Sequence, residues 1–331
     1  MNSSHNNQYT RISIFLITII LVAFLFTQVS LQDIFTTLSK ISLFSLLGGF
    51  TLYTISYLVR AWRFHILLNN EVSINDLFHI GCLHNMMNNL LPARTGELSY
   101  VYLLKKVNNR TTGEGVATLV IARIFDFIAL AILFFITILL LKDIPKIVMD
   151  ALWIIAVFTI FLSGILLMLL WRGRIFVETV QKISEKIHIE NERIISYLLQ
   201  KGFESVNSFE RIQIKKDSLF LIILSLATWA LNFLMVYLLL VGMDFQFPFF
   251  LVILGGTFIL LTTILPIQGI GGFGTTETIW TLVFVSLGMP LDDAITSGFC
   301  YHFILIIYFL ILGLYGWVKL RKITDFSLLR Q

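Results

Sequence analysis

Two pairs of ionisable residues stand inside stretches of sequence that are otherwise apolar. Arg94 and Glu97 are three residues apart, and so are Arg123 and Asp126. Side chains at i and i+3 share one face of a helix, so the members of each pair can interact. Charges at membrane depth are costly and usually face a partner or a cavity. For Arg123 and Asp126 an ion pair that locks helices together and a role in lining a cavity both remain open, whereas Asn89 and the neighbouring amides favour binding for the first pair.

The segment 265–277, with the sequence LPIQGIGGFGTTE, is a second candidate site. Its glycines permit positive φ and a close approach of the backbone, which would leave amide N–H groups and the N-terminus of a following short helix open to a ligand. Glu277 closes the segment with a carboxylate. The alternative interpretation is a tight turn between packed helices.

The sequence predicts no metal, no cofactor and no catalytic residue. The histidines at 65, 79, 84 and 302 are scattered without the spacing of a zinc site. A phosphate-binding P-loop would need GK[ST] after its glycines, and none follows here.

The composition is that of a membrane protein. Hydrophobic residues make up 57% and charged residues 13% of the chain, and the mean hydropathy is +0.87. Soluble domains contain roughly 45–50% apolar and ~25% charged residues. We therefore expect an all-α polytopic membrane protein. The net charge of +4 reflects membrane topology and predicts no nucleic-acid partner.

A span of the hydrocarbon core needs ~20 mostly apolar residues. Six segments meet this rule: 12–29, 43–59, 116–141, 147–170, 218–241 and 294–318. Two further apolar regions are divided by proline and glycine into short pieces, 77–91 with 98–104 and 249–265 with 278–287. Such pieces are too short to cross the hydrocarbon core, so we interpret both regions as re-entrant helical hairpins. Irregular backbone is tolerated at membrane depth only where protein or a water-filled cavity surrounds it.

The basic residues predict the orientation. With both termini in the cytoplasm, most of the 24 Lys and Arg residues lie on the cytoplasmic side. The halves 43–141 and 218–318 then form an inverted repeat within a single integral domain, 1–331. The polar segment 171–217 between them is interpreted as cytoplasmic amphipathic helices or, alternatively, as a simple linker.

Arg60 and Arg63 directly follow the span 43–59, in the sequence RAWRFHILL. The main interpretation is that both side chains anchor the helix at the cytoplasmic interface. Contact with lipid phosphates is the alternative.

Four motifs together resemble a known family: RAWRFHILL, NNLLPARTGELSYVYLL (88–104), ARIFDF (122–127) and LPIQGIGGFGTTE. The chain is similar to the flippase-like integral membrane family that includes the transmembrane half of lysylphosphatidylglycerol synthases. The resemblance implies the lipid-translocating half alone, without the soluble aminoacyl-transferring domain. The substrate-binding positions that it implies are Arg60, Asn89, Pro92, Arg94, Gly96, Glu97, Arg123, Asp126, Pro266, Gly271, Gly272, Gly274 and Glu277.

These observations predict a lipid translocator of the cell membrane that works without ATP. Its partner would be a membrane lipid with an anionic headgroup, and broken helices at matching positions of two halves are the usual pointer to such a site. One alternative is a membrane-embedded glycosyl- or headgroup-transferase, for which Asp33, in a short external loop, is the candidate acid. A further alternative is an accessory subunit with a partner synthase.

Overall fold

The computed structural model describes residues 31–91, 96–141, 214–262 and 270–328, together with isolated positions and the helix 177–186 between 157 and 203. This part of the chain is helical throughout. The helices are α1 (Leu31–Lys40), α2 (Leu43–Leu67), α3 (Ile74–Leu90), α4 (Glu97–Asn108), α5 (Thr112–Leu140), α6 (Ile214–Gly242), α7 (Phe249–Thr262), α8 (Thr275–Ser286) and α9 (Leu291–Leu328).

Four helices are long and apolar enough to cross a membrane. They are α2, α5, the part Asp217–Gly242 of α6 and the part Leu291–Arg321 of α9. These helices correspond to four of the six predicted spans. The predicted span 12–29 and most of the span 147–170 lie outside the described residues.

The second predicted span ends too early. Hydropathy placed its end at residue 59, but α2 continues to Leu67 and the candidate span includes Arg60 and Arg63. Both side chains line the cavity inside the protein, and an acidic partner described below compensates the charge of Arg63. The interpretation as an interfacial anchor is therefore wrong for Arg63, which is 2% exposed, and for Arg60 it stays a prediction.

Both regions with proline–glycine interruptions form two short helices around a break. The helices α3 and α4 have 17 and 12 residues, and α7 and α8 have 14 and 12. Ser73 caps the start of α3 by accepting a hydrogen bond from the amide of Asp76. The helix–break–helix pattern agrees with the expectation, while re-entry into a bilayer stays a prediction.

The long helices and the interrupted regions pack against each other across the two halves. The helix α2 lies along α6, α3 lies along α9, and α7 packs on α5. The turn Ile270–Gly272 contacts α3. The first interrupted region thus packs on the last helix, and the second packs on both α5 and the last helix.

The outer surface is apolar. On α2, large side chains such as Phe44, Leu47 and Leu58 are exposed. An exposed apolar surface of this kind marks contact with a partner or a membrane, and the surface agrees with a multi-pass location.

The region expected to be a short external loop is the helix α1, in which Asp33 lies exposed in the first turn. The buried residue Ile34 joins the main apolar core. This helix is strongly amphipathic, and the loop prediction missed it because ten residues are too few to register as a span.

A glycine makes the contact between α3 and α9 possible. A Cβ atom at Gly316 would lie 2.6 Å from the carbonyl oxygen of His79 and 3.3 Å from Cβ of Cys82. By contrast, a Cβ atom at Gly81 on α3 would find its nearest neighbour, in Tyr57, at 3.9 Å.

Gly316→Ala is therefore expected to lower the free energy of unfolding by about 1–3 kcal/mol, because the backbones of α3 and α9 must separate. Gly81→Ala is the matched control and should leave stability unchanged or slightly raised, since alanine is the better helix former. Thermal unfolding in detergent measures both variants. Equal stability of the two variants would contradict the close approach.

Candidate functional site

A cavity of about 270 Å³ lies between the two halves of the chain. All the helices from α2 to α9 contribute to its wall. Four of the predicted site residues line it, namely Arg60, Asn89, Arg123 and Asp126.

The other predicted site residues fall into two groups. Gly96, Glu97, Gly271, Gly272, Gly274 and Glu277 are described but are not among the lining residues. Pro92, Arg94 and Pro266 lie outside the described residues. Asp33, the candidate acid of the enzymatic alternative, does not line the cavity.

A buried ion pair joins three helices at one side of the cavity. Arg63 Nη1 on α2 donates to Asp126 Oδ1 on α5 at 2.6 Å, and Nη2 lies 3.3 Å from Oδ2. The same carboxylate accepts from Trp229 Nε1 at 2.9 Å, while Arg63 Nη1 also donates to Ser225 Oγ at 2.8 Å. Arg63 is 2% exposed and Asp126 7% exposed. The network ties α2, α5 and α6 together without leaving either charge uncompensated.

The expected pairing of Arg123 with Asp126 is therefore replaced by two pairs between helices. Arg123 Nη2 on α5 donates to Glu97 Oε1 on α4 at 2.9 Å. These two side chains are 40% and 42% exposed, in contrast to the buried pair. Arg123 and Asp126 do share a helix face, but Arg123 pairs with a residue of α4 and Asp126 with a residue of α2.

Arg60 has no acidic partner among the described residues. Its guanidinium lies 5.2 Å from the ring centre of Tyr57 and 5.3 Å from that of Trp229. Its Nε atom is buried without a hydrogen bond. Aromatic faces attract a cation but do not neutralise it. Asp126 and Glu97 compensate Arg63 and Arg123, so among the described residues of the wall Arg60 leaves an excess positive charge.

Amide side chains line the wall that α3 provides. Asn85 Nδ2 donates to Tyr53 Oη at 2.7 Å, and Asn89 Nδ2 donates to Asn85 Oδ1 at 3.0 Å. Asn88 also lines the cavity, and its Oδ1 atom is buried without a partner among the described residues. The first interruption thus presents polar groups to the cavity, as its asparagines predicted.

Gly96 fixes the geometry of that interruption. A Cβ atom there would lie 2.4 Å from Cα of Asn88, so only glycine allows the start of α4 to approach the end of α3 this closely. The neighbouring Glu97 begins α4 and reaches Arg123.

The second interruption contains the predicted positive-φ glycines. Gly271, Gly272 and Gly274 have φ angles of 63°, 77° and 76°. L-residues with a Cβ atom adopt this region at a cost, which explains why glycine occupies all three positions. The chain can then turn sharply into α8.

Glu277 lies in the first turn of α8 and is 0% exposed. Its Oε1 atom is 2.6 Å from Nδ1 of His302 on α9, which is 4% exposed. The Oε2 atom has no hydrogen-bond partner among the described residues. The ring of Phe273 lies 4.9 Å from the His302 ring and flanks the pair. A buried acid–base pair therefore stands behind the glycine turn rather than in the cavity wall.

Three residues of these networks are not among the predicted site residues, namely Arg63, Trp229 and His302. One signal for Arg63 was available, because it shares a helix face with Arg60. Nothing local singles out Trp229 or His302, whose partners are on other helices. Among the described residues, no group of three or more His, Cys, Asp or Glu side chains is placed to hold a metal ion.

The fold and the cavity define a helical multi-pass membrane protein with arginine side chains in the wall of a cavity between its helices. The chain matches the lysylphosphatidylglycerol synthase TM region over residues 12–313, and it belongs to this family. It is also similar to the UPF0104 membrane protein MJ1078 of Methanocaldococcus jannaschii, with 27% identity over 205 residues that cover 60% of this chain and 78% of the relative. No solved structure matches the chain.

The two ion pairs should differ sharply in their contribution to stability. We expect Arg63→Gln to lower the free energy of unfolding by about 3–5 kcal/mol, because it leaves the Asp126 carboxylate buried without a counter-charge. Arg123→Gln is the matched control and should cost about 0–1 kcal/mol, since water reaches both partners. Denaturant or thermal unfolding of the purified variants tests this, and a similar loss from both variants would contradict it.

Proposed function

We propose that this protein moves a lipid with an anionic headgroup between the two leaflets of the cell membrane. The observation that carries the proposal is Arg60, a guanidinium without an acidic partner among the described residues, at a cavity between the two halves. A phosphate in the cavity would supply the missing counter-charge to the guanidinium. Arg94, outside the described residues, stays a second candidate for this contact.

The size of the cavity agrees with a headgroup. Ligand sites for small molecules typically have ~300–1,000 Å³, and this cavity, with about 270 Å³, lies just below the lower end of that range. A phosphorylated headgroup fits such a space, whereas two acyl chains do not. Under the proposal, the chains stay in the bilayer while the headgroup passes between the halves.

The packing of the interrupted regions supports the inverted repeat. In the proposed repeat, α2 to α5 correspond to α6 to α9. The contact of α3 with α9 then has its equivalent in the contact of α7 with α5. We propose that both interrupted regions re-enter the membrane, with both termini of the chain in the cytoplasm, and that movement of the short helices opens the cavity to either side.

Arg60→Gln tests the proposal directly. In reconstituted vesicles, leaflet exchange of a labelled anionic phospholipid should fall about tenfold or more, because one charge-assisted hydrogen bond is lost. Arg60→Lys, which keeps the charge, should retain part of the activity. The control is Arg110→Gln, since Arg110 pairs with Glu71 outside the cavity. Equal exchange by folded Arg60→Gln and wild type would remove Arg60 from the mechanism.

Movement of the lipid would be downhill or coupled to an ion gradient. For coupling, the pair of Glu277 with His302 is the candidate proton carrier, because it brings a buried carboxyl group and an imidazole into contact. The helix α7, which packs on α8, carries no charged residue. On α9, His302 is the sole acidic or basic residue between Asp293 and Lys319. No other charge on these helices therefore compensates Glu277.

If protons drive transport, Glu277→Gln should remove the acceleration that an imposed pH gradient produces, while exchange without a gradient continues. The measurement compares wild-type and variant vesicles with and without the gradient. Glu114→Gln serves as the control, because Glu114 lies in the capping box at the start of α5. Gradient-dependent exchange by Glu277→Gln at the wild-type level would exclude this carboxylate as the carrier.

A further inference from the structure

His84 is a residue of α3 that lines the cavity and that sequence analysis left without a role. Its Nδ1 atom lies 3.0 Å from Oγ of Ser99 on α4. The Ser99 hydroxyl has a single hydrogen, which it donates to the carbonyl oxygen of Gly96 at 2.5 Å. The hydroxyl therefore accepts from His84, and this fixes a hydrogen on Nδ1 of the imidazole.

With a hydrogen on Nδ1, the other ring nitrogen of the neutral imidazole, Nε2, has a lone pair. His84 is half-buried, and no residue in the described part of the chain bonds to its Nε2 atom. This atom is not enclosed by protein in the way that Nδ1 of His79 is. A proton or a ligand in the cavity therefore reaches Nε2.

The charges around His84 are mainly positive. The other charged side chains that line the cavity, among the described residues, are Arg60, Arg63, Arg123 and Asp126. The helices α6 to α9 add no charged residue to the lining, and the neighbours of His84 on α4 are Ser99 and Tyr100, which are uncharged. Since Asp126 pairs with Arg63 and Glu97 with Arg123, the charge that remains uncompensated is that of Arg60.

Without an anion in the cavity, the neutral form of His84 is favoured, because a charged imidazole adds to the uncompensated charge of Arg60. A negatively charged headgroup reverses this balance, since it compensates the excess charge. It also needs a donor, and only the protonated ring offers one at Nε2, whereas the lone pair of the neutral ring repels a phosphate oxygen. An anion in the cavity and a proton on His84 thus favour each other's binding.

We infer that His84 is a proton-binding residue of the cavity, and that an anionic headgroup binds there together with one proton on Nε2. This inference rests on the proposed function and adds to it a contact with the headgroup and a pH dependence of the affinity. The pair of Glu277 with His302 is a separate group, because neither residue lines the cavity.

The test measures the affinity for phosphatidylglycerol, whose phosphodiester keeps one negative charge from about pH 5 to about pH 8. A fluorescent form of this lipid is titrated with the purified full chain in detergent at each pH. Since a proton binds with the anion, the affinity of wild type should rise as the pH falls, by at most about tenfold per pH unit. Over the whole range we expect a gain of about tenfold or more.

His84→Asn keeps an N–H donor for Ser99 but cannot take up a proton. This variant should bind about as well as wild type at the highest pH and gain no affinity as the pH falls. A purely structural effect of the substitution would instead change the affinity equally at every pH. Isothermal titration calorimetry in two buffers of different ionisation enthalpy counts the protons directly, and uptake should be seen with wild type but not with His84→Asn.

The matched control is His79→Asn, on the same helix. The ring of His79 packs against Tyr315 and does not line the cavity, so this variant should keep the pH profile of wild type. An affinity of wild type that does not change with pH would overturn the inference, and this measurement needs no variant to fold. A normal profile in His84→Asn together with a flat profile in His302→Gln would also overturn it, because the proton would then bind at the other histidine.

Failure of this inference can be distinguished from failure of the proposed function. If the lipid binds with an affinity that is independent of pH but that Arg60→Gln lowers, an anionic lipid site remains and the proton is not part of it. If the lipid binds at no pH, the lipid site itself is absent and the inference falls with it.

Discussion

The ion pair between Arg63 and Asp126 is the interaction on which the rest of the site depends. Two charges that water cannot reach are stable only when each is compensated and hydrogen-bonded, and Ser225 and Trp229 complete the hydrogen bonds here. The pair compensates the charge of Arg63 inside the apolar helix α2, and it fixes α2 against α5 and α6. Because Arg63 neutralises Asp126, the nearby Arg60 is left without a carboxylate. One contact thus explains both the rigid frame of the cavity and its excess positive charge.

The sequence predicted the elements better than their partners. Runs of apolar residues identified α2, α5, α6 and α9, and proline with glycine identified the two interruptions, because length, hydropathy and backbone freedom are local properties. The positive φ angles of the glycines after Pro266 are of the same kind. Hydropathy failed at Arg60, where it ended the span, since a charge counts as polar whether or not the fold compensates it.

The charged pairs show why the site itself was predicted only in part. The spacing of Arg123 and Asp126 correctly put both side chains on one face of α5, but spacing on one helix cannot reveal which residue of another helix comes closer. Asp126 pairs with a residue 63 positions earlier, and Glu277 with a histidine 25 positions later. Only the packing of α2 on α5, and of α8 on α9, brings these partners together.

The distribution of charge separates the parts of the fold that must stay fixed from those that can move. The buried network of Arg63 joins three long helices, which makes their relative motion costly. The asparagines of the cavity wall, in contrast, lie on the short helix α3, which ends at the first interruption. A transporter needs this division, because the headgroup must be held by one arrangement of donors and released by another. Under the proposal, the long helices keep Arg60 in place while the short helices of the interrupted regions move.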